Sequence, residues 1–118
     1  MDIRNLFQHA HDAVSFAAGA AIFEQGQDAE HMYVVLDGEV EIRLGDALLS
    51  TAGPGDIVGE MALIDKSPRS AAAVARTDCQ LVAVDQRRFL FLVGQTPFFA
   101  LHVMRQLAER IRRKDEAD

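Results

Sequence analysis

The chain has 118 residues, 49% apolar and 25% charged, with a formal net charge of −6 and a single cysteine, Cys79. That length holds one core of ordinary composition and leaves little for a second folded domain. The acidic balance argues against nonspecific binding to nucleic acid or an anionic membrane, no apolar run approaches the roughly 20 residues of a membrane span, and one cysteine excludes an internal disulfide.

Residues 1–12 are polar with apolar anchors at Ile3, Leu6 and Phe7, and predict a short N-terminal helix. Val14–Phe16 and Ile22–Glu24 read as short strands. Met32–Leu36 is an apolar run, and Glu39–Leu44 alternates apolar and polar residues with the period of a half-buried strand. Asp37-Gly38 between them is a hairpin turn signal. Gly45-Asp46 supplies another turn before Ala47–Thr51, and Gly53, Pro54 and Gly55 mark a loop. Ser70–Arg76 and Gln80–Val84 are further strands, separated by Thr77-Asp78. Short strands at this spacing imply an antiparallel sandwich or barrel.

Two helices follow. Asp85 is placed to cap the first, over Arg87–Val93, with Gly94 ending it. Thr96 caps the second, with Pro97 at its first position, and this helix runs to about Lys114. Phe99, Val103 and Leu107 form one apolar stripe; Leu101, Met104, Ala108 and Ile111 form a neighbouring one. The combined apolar face spans about 180–200° at roughly 100° per residue. One-sided packing requires only about 100°. The helix therefore either sinks deeply into its own domain or meets a second chain, and a homodimer through the second stripe is expected. The cations of Arg110–Lys114 suit a helix C-terminus.

The densest chemistry lies in Gly59–Ala71. Gly59 lets the backbone approach a ligand closely. Met61-Ala62-Leu63-Ile64 predicts one short helical turn whose first N–H groups lack internal partners. Lys66-Ser67-Pro68 breaks that turn. Arg69 follows, with a planar fork suited to two phosphate oxygens. Glu60, when ionised, only accepts hydrogen bonds and suits a sugar hydroxyl. On their own, Glu60 and Arg69 are as simply read as an ion pair within the domain.

The surrounding residues add context. Gly59–Ala71 resembles the phosphate-binding cassette of cyclic nucleotide-binding domains, the family of CRP/FNR-type regulators, protein kinase A regulatory subunits and cyclic nucleotide-gated channels. Phe16–Gln27 resembles that family's opening strands, His31–Ile42 its next hairpin, and Ala52–Glu60 its approach to the cassette. The likeness runs from about Val14 to about Arg113. It implies a mainly β fold, an antiparallel β-roll of jelly-roll type over about residues 14–84, followed by two C-terminal helices over about 86–114.

It also implies a stand-alone receptor for a cyclic nucleotide, cyclic AMP before cyclic GMP, that signals by repositioning its last helix. By resemblance Arg69 clamps the cyclic phosphate and Glu60 holds the ribose 2′-hydroxyl. Gly59 and Ala62 offer backbone, Ser70 offers a hydroxyl, and Val58, Met61 and Ala71 complete the contact set. In CRP-like relatives polar side chains of the last helix reach the base. The corresponding stretch, Arg110–Lys114, has no Ser or Thr, which leaves Arg110 over the purine as the expected substitute.

CRP-like regulators continue into a helix-turn-helix domain, absent from this sequence. Direct DNA binding is therefore not expected, nor a membrane contact, and the downstream protein is not identifiable. Two other readings share the fold: a dimerisation module with an empty pocket, and a regulatory domain of a channel or larger enzyme. Catalysis lacks a nucleophile–base–orienter set. His9, His11, His31 and His102 have no zinc spacing, so neither a metal nor a further cofactor is expected. Cys79 reads as a small core residue. With no signal-peptide pattern at the N-terminus, the expected location is cytoplasmic.

Overall fold

The computed structural model describes residues 3–7 and 13–117. A 3-10 helix spans Ile3–Phe7; the remainder of the expected N-terminal helix, with His9 and His11, lies outside the described residues. Eight strands follow: β1 (Ala13–Phe16), β2 (Ala21–Phe23), β3 (His31–Asp37), β4 (Val40–Leu44), β5 (Ala47–Ala52), β6 (Ile57–Val58), β7 (Ala72–Ala75) and β8 (Cys79–Asp85). Helix α1 (Glu60–Asp65) is inserted between β6 and β7; α2 (Gln86–Gln95) and α3 (Pro97–Ala117) close the chain. The strands form two four-stranded sheets, β1-β8-β3-β6 and β2-β7-β4-β5, with antiparallel pairing throughout. This is the expected β-roll followed by two helices.

Asp37-Gly38 does not make the expected hairpin. β3 pairs with β6 and β8, whereas β4 pairs with β5 and β7. The chain crosses between sheets at Gly38, whose φ is +90° and whose added Cβ would strike Asp78 and Cys79. The crossing is stitched to the neighbouring β7–β8 crossing: Glu39 N–H donates to Thr77 Oγ1 at 3.0 Å and Arg76 N–H to Glu39 O at 2.9 Å. An Asp-Gly pair reports a left-handed backbone and a change of direction, not which strand the chain then joins. The hairpin β4 makes is with β5, across the Gly45-Asp46 turn.

The alternation of β3 divides the core. Met32 and Val34 face the helices, in a cluster with Ile3, Phe7, Ile57, Val82, Phe99 and Val103. Val35 faces between the sheets, with Ile22, Phe23, Val40, Val58 and Leu81. With both faces covered, a central strand reads as a continuous apolar run rather than an alternation. Cys79 is buried in the inter-sheet cluster, as expected.

Asp85 caps α2 by accepting from Arg88 N–H at 2.8 Å. Gly94, expected to end this helix, lies inside it. The helix continues to Gln95, and Thr96 N–H closes it on Leu92 O at 2.8 Å. Pro97 sets the stop, because the residue before a proline is pushed out of the helical region; interior Gly94 carries only the roughly 1 kcal/mol cost of its propensity. On α3, Phe99 and Val103 are buried and Leu107 packs on the same cluster, with Phe99 edge-on to Phe7 and Phe89. The second stripe stays exposed: Leu101 39%, Met104 58%, Ile111 63%. Among the described residues, no helix is long and apolar enough to cross a membrane.

Candidate functional site

Gly59 is the hinge of the site. It sits between β6 and α1 at φ +78°, a left-handed conformation that costs glycine nothing. This turn starts α1 with Glu60, which is 1% exposed. Lys66, also left-handed, ends α1. The chain then reaches Arg69, whose backbone is fixed against the turn after β2: Arg69 N–H donates to Gln27 O and Gly26 N–H to Arg69 O, both at 2.8 Å.

The Arg69 guanidinium is 5% exposed. Its Nη1 donates to Gly59 O at 2.9 Å and its Nη2 to His31 O. Its flat face lies 4.0 Å from the centroid of the Phe23 ring, which stacks in turn on Tyr33. Burial lowers the Arg69 pKa from its ordinary value, against opposing contributions from Tyr33 and Glu60. A buried cation is costly when incompletely paired. Arg69 Nε has no hydrogen-bond partner among the described residues.

Glu60 does not pair with Arg69. Its ion pair is with Arg110 of α3, through Oε1. That contact lacks hydrogen-bond geometry, and neither Glu60 oxygen has a hydrogen-bond partner among the described residues.

These groups surround one cavity of about 770 Å³, lined by Gly59, Glu60, Met61, Ala62, Arg69, Ser70, Ala71 and Arg110 together with Phe23, Ile42, Leu44, Leu49 and Ser50. Val58, the remaining residue singled out from the sequence, is not on that lining. Its side chain is 1% exposed and points into the inter-sheet core. Strand alternation turns Val58 inward, so only the following glycine and α1 reach the cavity. Arg110, expected over a purine, rests on Glu60.

Sequence reading missed the apolar wall from β4 and β5. Leu44 is 43% exposed and Leu49 55%, and exposed leucines beside a concave surface signal a binding wall. That signal needs the fold, because only the fold sets a cavity beside the β4–β5 hairpin.

Chemically, the cavity is lined by a buried cationic fork, a charge-paired carboxylate and an apolar wall. That set suits an amphipathic anion bearing hydroxyls. The family model for the cyclic nucleotide-binding domain matches residues 13–96, and the chain belongs to that family. It is 36% identical over 105 residues to the cyclic AMP receptor protein of Thermus thermophilus, covering 85% of this chain and 49% of that protein. The crystal structure of the Thermus thermophilus catabolite activator protein superposes with a TM-score of 0.80 at 33% identity, covering 95% of this chain and 55% of that one. A structure described as "A cyclic-GMP-dependent signalling pathway regulates bacterial phytopathogenesis" matches with a TM-score of 0.76 at 32% identity, covering 96% and 95%. The chain spans about half, or less, of the length of the curated relatives it matches.

Proposed function

We propose that the 770 Å³ cavity binds one cyclic nucleotide, cyclic AMP in preference to cyclic GMP, and that occupancy is signalled through α3. In this reading Arg69 takes the cyclic phosphate, Glu60 accepts from the ribose 2′-hydroxyl, and the base lies along Ile42, Leu44 and Leu49. Ser70 and the backbone of Gly59 to Ala62 complete the ribose-phosphate contacts. The observation that carries it is a buried anion and a buried cation, Glu60 and Arg69, lining one cavity. Charged side chains are rarely so fully buried, and two of opposite sign on one cavity point to a polar ligand. The preference for cyclic AMP is supported by likeness to a cyclic AMP receptor protein.

The same reading makes the protein a regulator rather than an enzyme, cytoplasmic, and a homodimer through Leu101, Met104, Ala108 and Ile111. The dimer is supported by the exposed stripe of α3 that remains after its other stripe is buried. Calorimetric titration of the purified protein with cyclic AMP and cyclic GMP tests the proposal. Saturable binding of one nucleotide per chain, tighter for cyclic AMP, is expected. No heat with either nucleotide at millimolar concentration would leave the dimerisation module as the surviving reading.

A further inference from the structure

His102, Gln106 and Arg110 are spaced four apart and so lie on one line along α3. Each reaches a successive point of the segment that leads into the cavity. His102 Nε2 donates to Gly55 O at 2.9 Å. Gln106 makes a two-way clamp on one residue: its Oε1 accepts from Ile57 N–H at 3.0 Å, and its Nε2 donates to Ile57 O at 2.6 Å. Arg110 meets Glu60. The stripe thus tracks Gly55, Ile57 and Glu60 in register.

The clamp falls on an edge strand. β6 is only two residues long and lies at the border of its sheet, with β3 on one side. On that side the neighbouring residues are paired by Val35 N–H to Asp56 O at 2.9 Å and Gly55 N–H to Val35 O at 2.8 Å. The polar groups of Ile57 face away from β3, and a buried backbone pair facing no strand needs other partners. Gln106 supplies both, as a further strand would. Three residues later the same backbone delivers the Glu60 carboxylate.

We propose that Gln106 is a positioning residue for the ligand site. Its amide fixes the backbone of Ile57, sets the placement of Gly59 and Glu60, and so couples the seating of α3 to recognition of the ligand's ribose. This rests on the reading that the cavity takes a cyclic nucleotide. It adds that α3 acts on the site through backbone, not only through a side chain meeting the ligand.

The test is Gln106→Met, which keeps the side chain's length and removes both hydrogen bonds. Cyclic AMP and its 2′-deoxy analogue are titrated into wild type and variant. Since the clamp acts through Glu60, the wild-type preference for the 2′-hydroxyl should shrink by about 5- to 10-fold, with 2′-deoxy binding little changed. A merely structural role would weaken both ligands equally. Equal weakening, or no weakening, overturns the proposal. Amide hydrogen exchange on the ligand-free proteins gives an independent arm. Exchange at Ile57 and across α1 should rise by about tenfold or more in the variant, and unchanged α1 exchange also overturns it. If wild type binds neither nucleotide, the ligand reading fails, and the exchange arm still decides the coupling. Should Gln106→Met not fold, Gln106→Asn, which keeps the amide but falls one methylene short, is put through both arms with the same expectations.

Discussion

Arg69 is held on the cavity by two backbone carbonyls and the Phe23 ring. Arg69→Ala leaves Gly59 O and His31 O without their donors and takes the cation off the Phe23 ring. Loss of two charge-assisted hydrogen bonds, offset by relief of a buried charge, should lower stability by about 1–3 kcal/mol. For a domain of this size that is a fall in melting temperature of about 4–12 °C. Binding should suffer more. Removing one partner of a desolvated charge pair costs about 2–5 kcal/mol, which is about 30-fold to several-thousand-fold in affinity.

The lowered pKa gives a second expectation. For a cationic group, a folded-state value below the unfolded one means that the charge costs stability wherever unfolded arginine is protonated. An arriving phosphate offsets part of that cost. Cyclic AMP should therefore raise the wild-type melting temperature, by the equivalent of about 2.7 kcal/mol at 100 times Kd, and do far less for Arg69→Ala. Arg69→Lys keeps the charge but loses the planar fork, and should recover less than half of the lost binding free energy. Calorimetry well below the lowered melting temperature separates affinity from stability. Wild-type affinity in both variants, with stability lowered as expected, refutes the clamp.

Three further changes follow from the same geometry. Glu60→Ala should erase most of the preference for cyclic AMP over its 2′-deoxy analogue; in a double cycle the two losses should be non-additive, and additive losses count against the ribose contact. Gly59→Ala forces an alanine to φ +78° and drives its Cβ into Arg69 and Phe23, so a stability loss of about 1–3 kcal/mol should accompany weakened binding, read by thermal melting and titration. Met104→Glu places a charge in the exposed α3 stripe, where burial against a second chain would leave it unpaired. Sedimentation should show a dimer for wild type and a monomer for the variant, with the β-roll melting unchanged; a monomeric wild type at high concentration rules out the seam.

Strands, turns and helix starts were legible where one local force decides them. Alternation marked β4, Gly45-Asp46 marked the β4–β5 hairpin, and Asp85 marked the start of α2. The cassette was legible because its residues are consecutive. Most of what failed depends on distant partners. Asp37-Gly38 announced a turn but not the crossing to the other sheet. β6, two residues long, has no period to read, and it forms because β3 and Gln106 satisfy it from either side. Val58 was placed on the site by resemblance, but strand alternation turns it inward. The Gln106 clamp joins segments far apart in the chain, and no local signal links them; Leu44 and Leu49 flank a legible hairpin, but nothing local says that a cavity lies beside them. Gly94 was outweighed by Pro97, the stronger stop.

The central claim is that a cyclic nucleotide sits between Arg69 and Glu60. Nitrogen-15 NMR of the whole protein during cyclic AMP titration tests it most directly, because the Arg69 Nε–H resonance reports on any new acceptor at the guanidinium. The account predicts a large shift of that resonance at saturation. Amide shifts should concentrate at Gly59–Ala62, Arg69–Ala71 and the Ile42–Ser50 wall, and extend along α3 to Arg110. Saturation that leaves Arg69 Nε unmoved, or shifts that gather elsewhere on the β-roll, would contradict it.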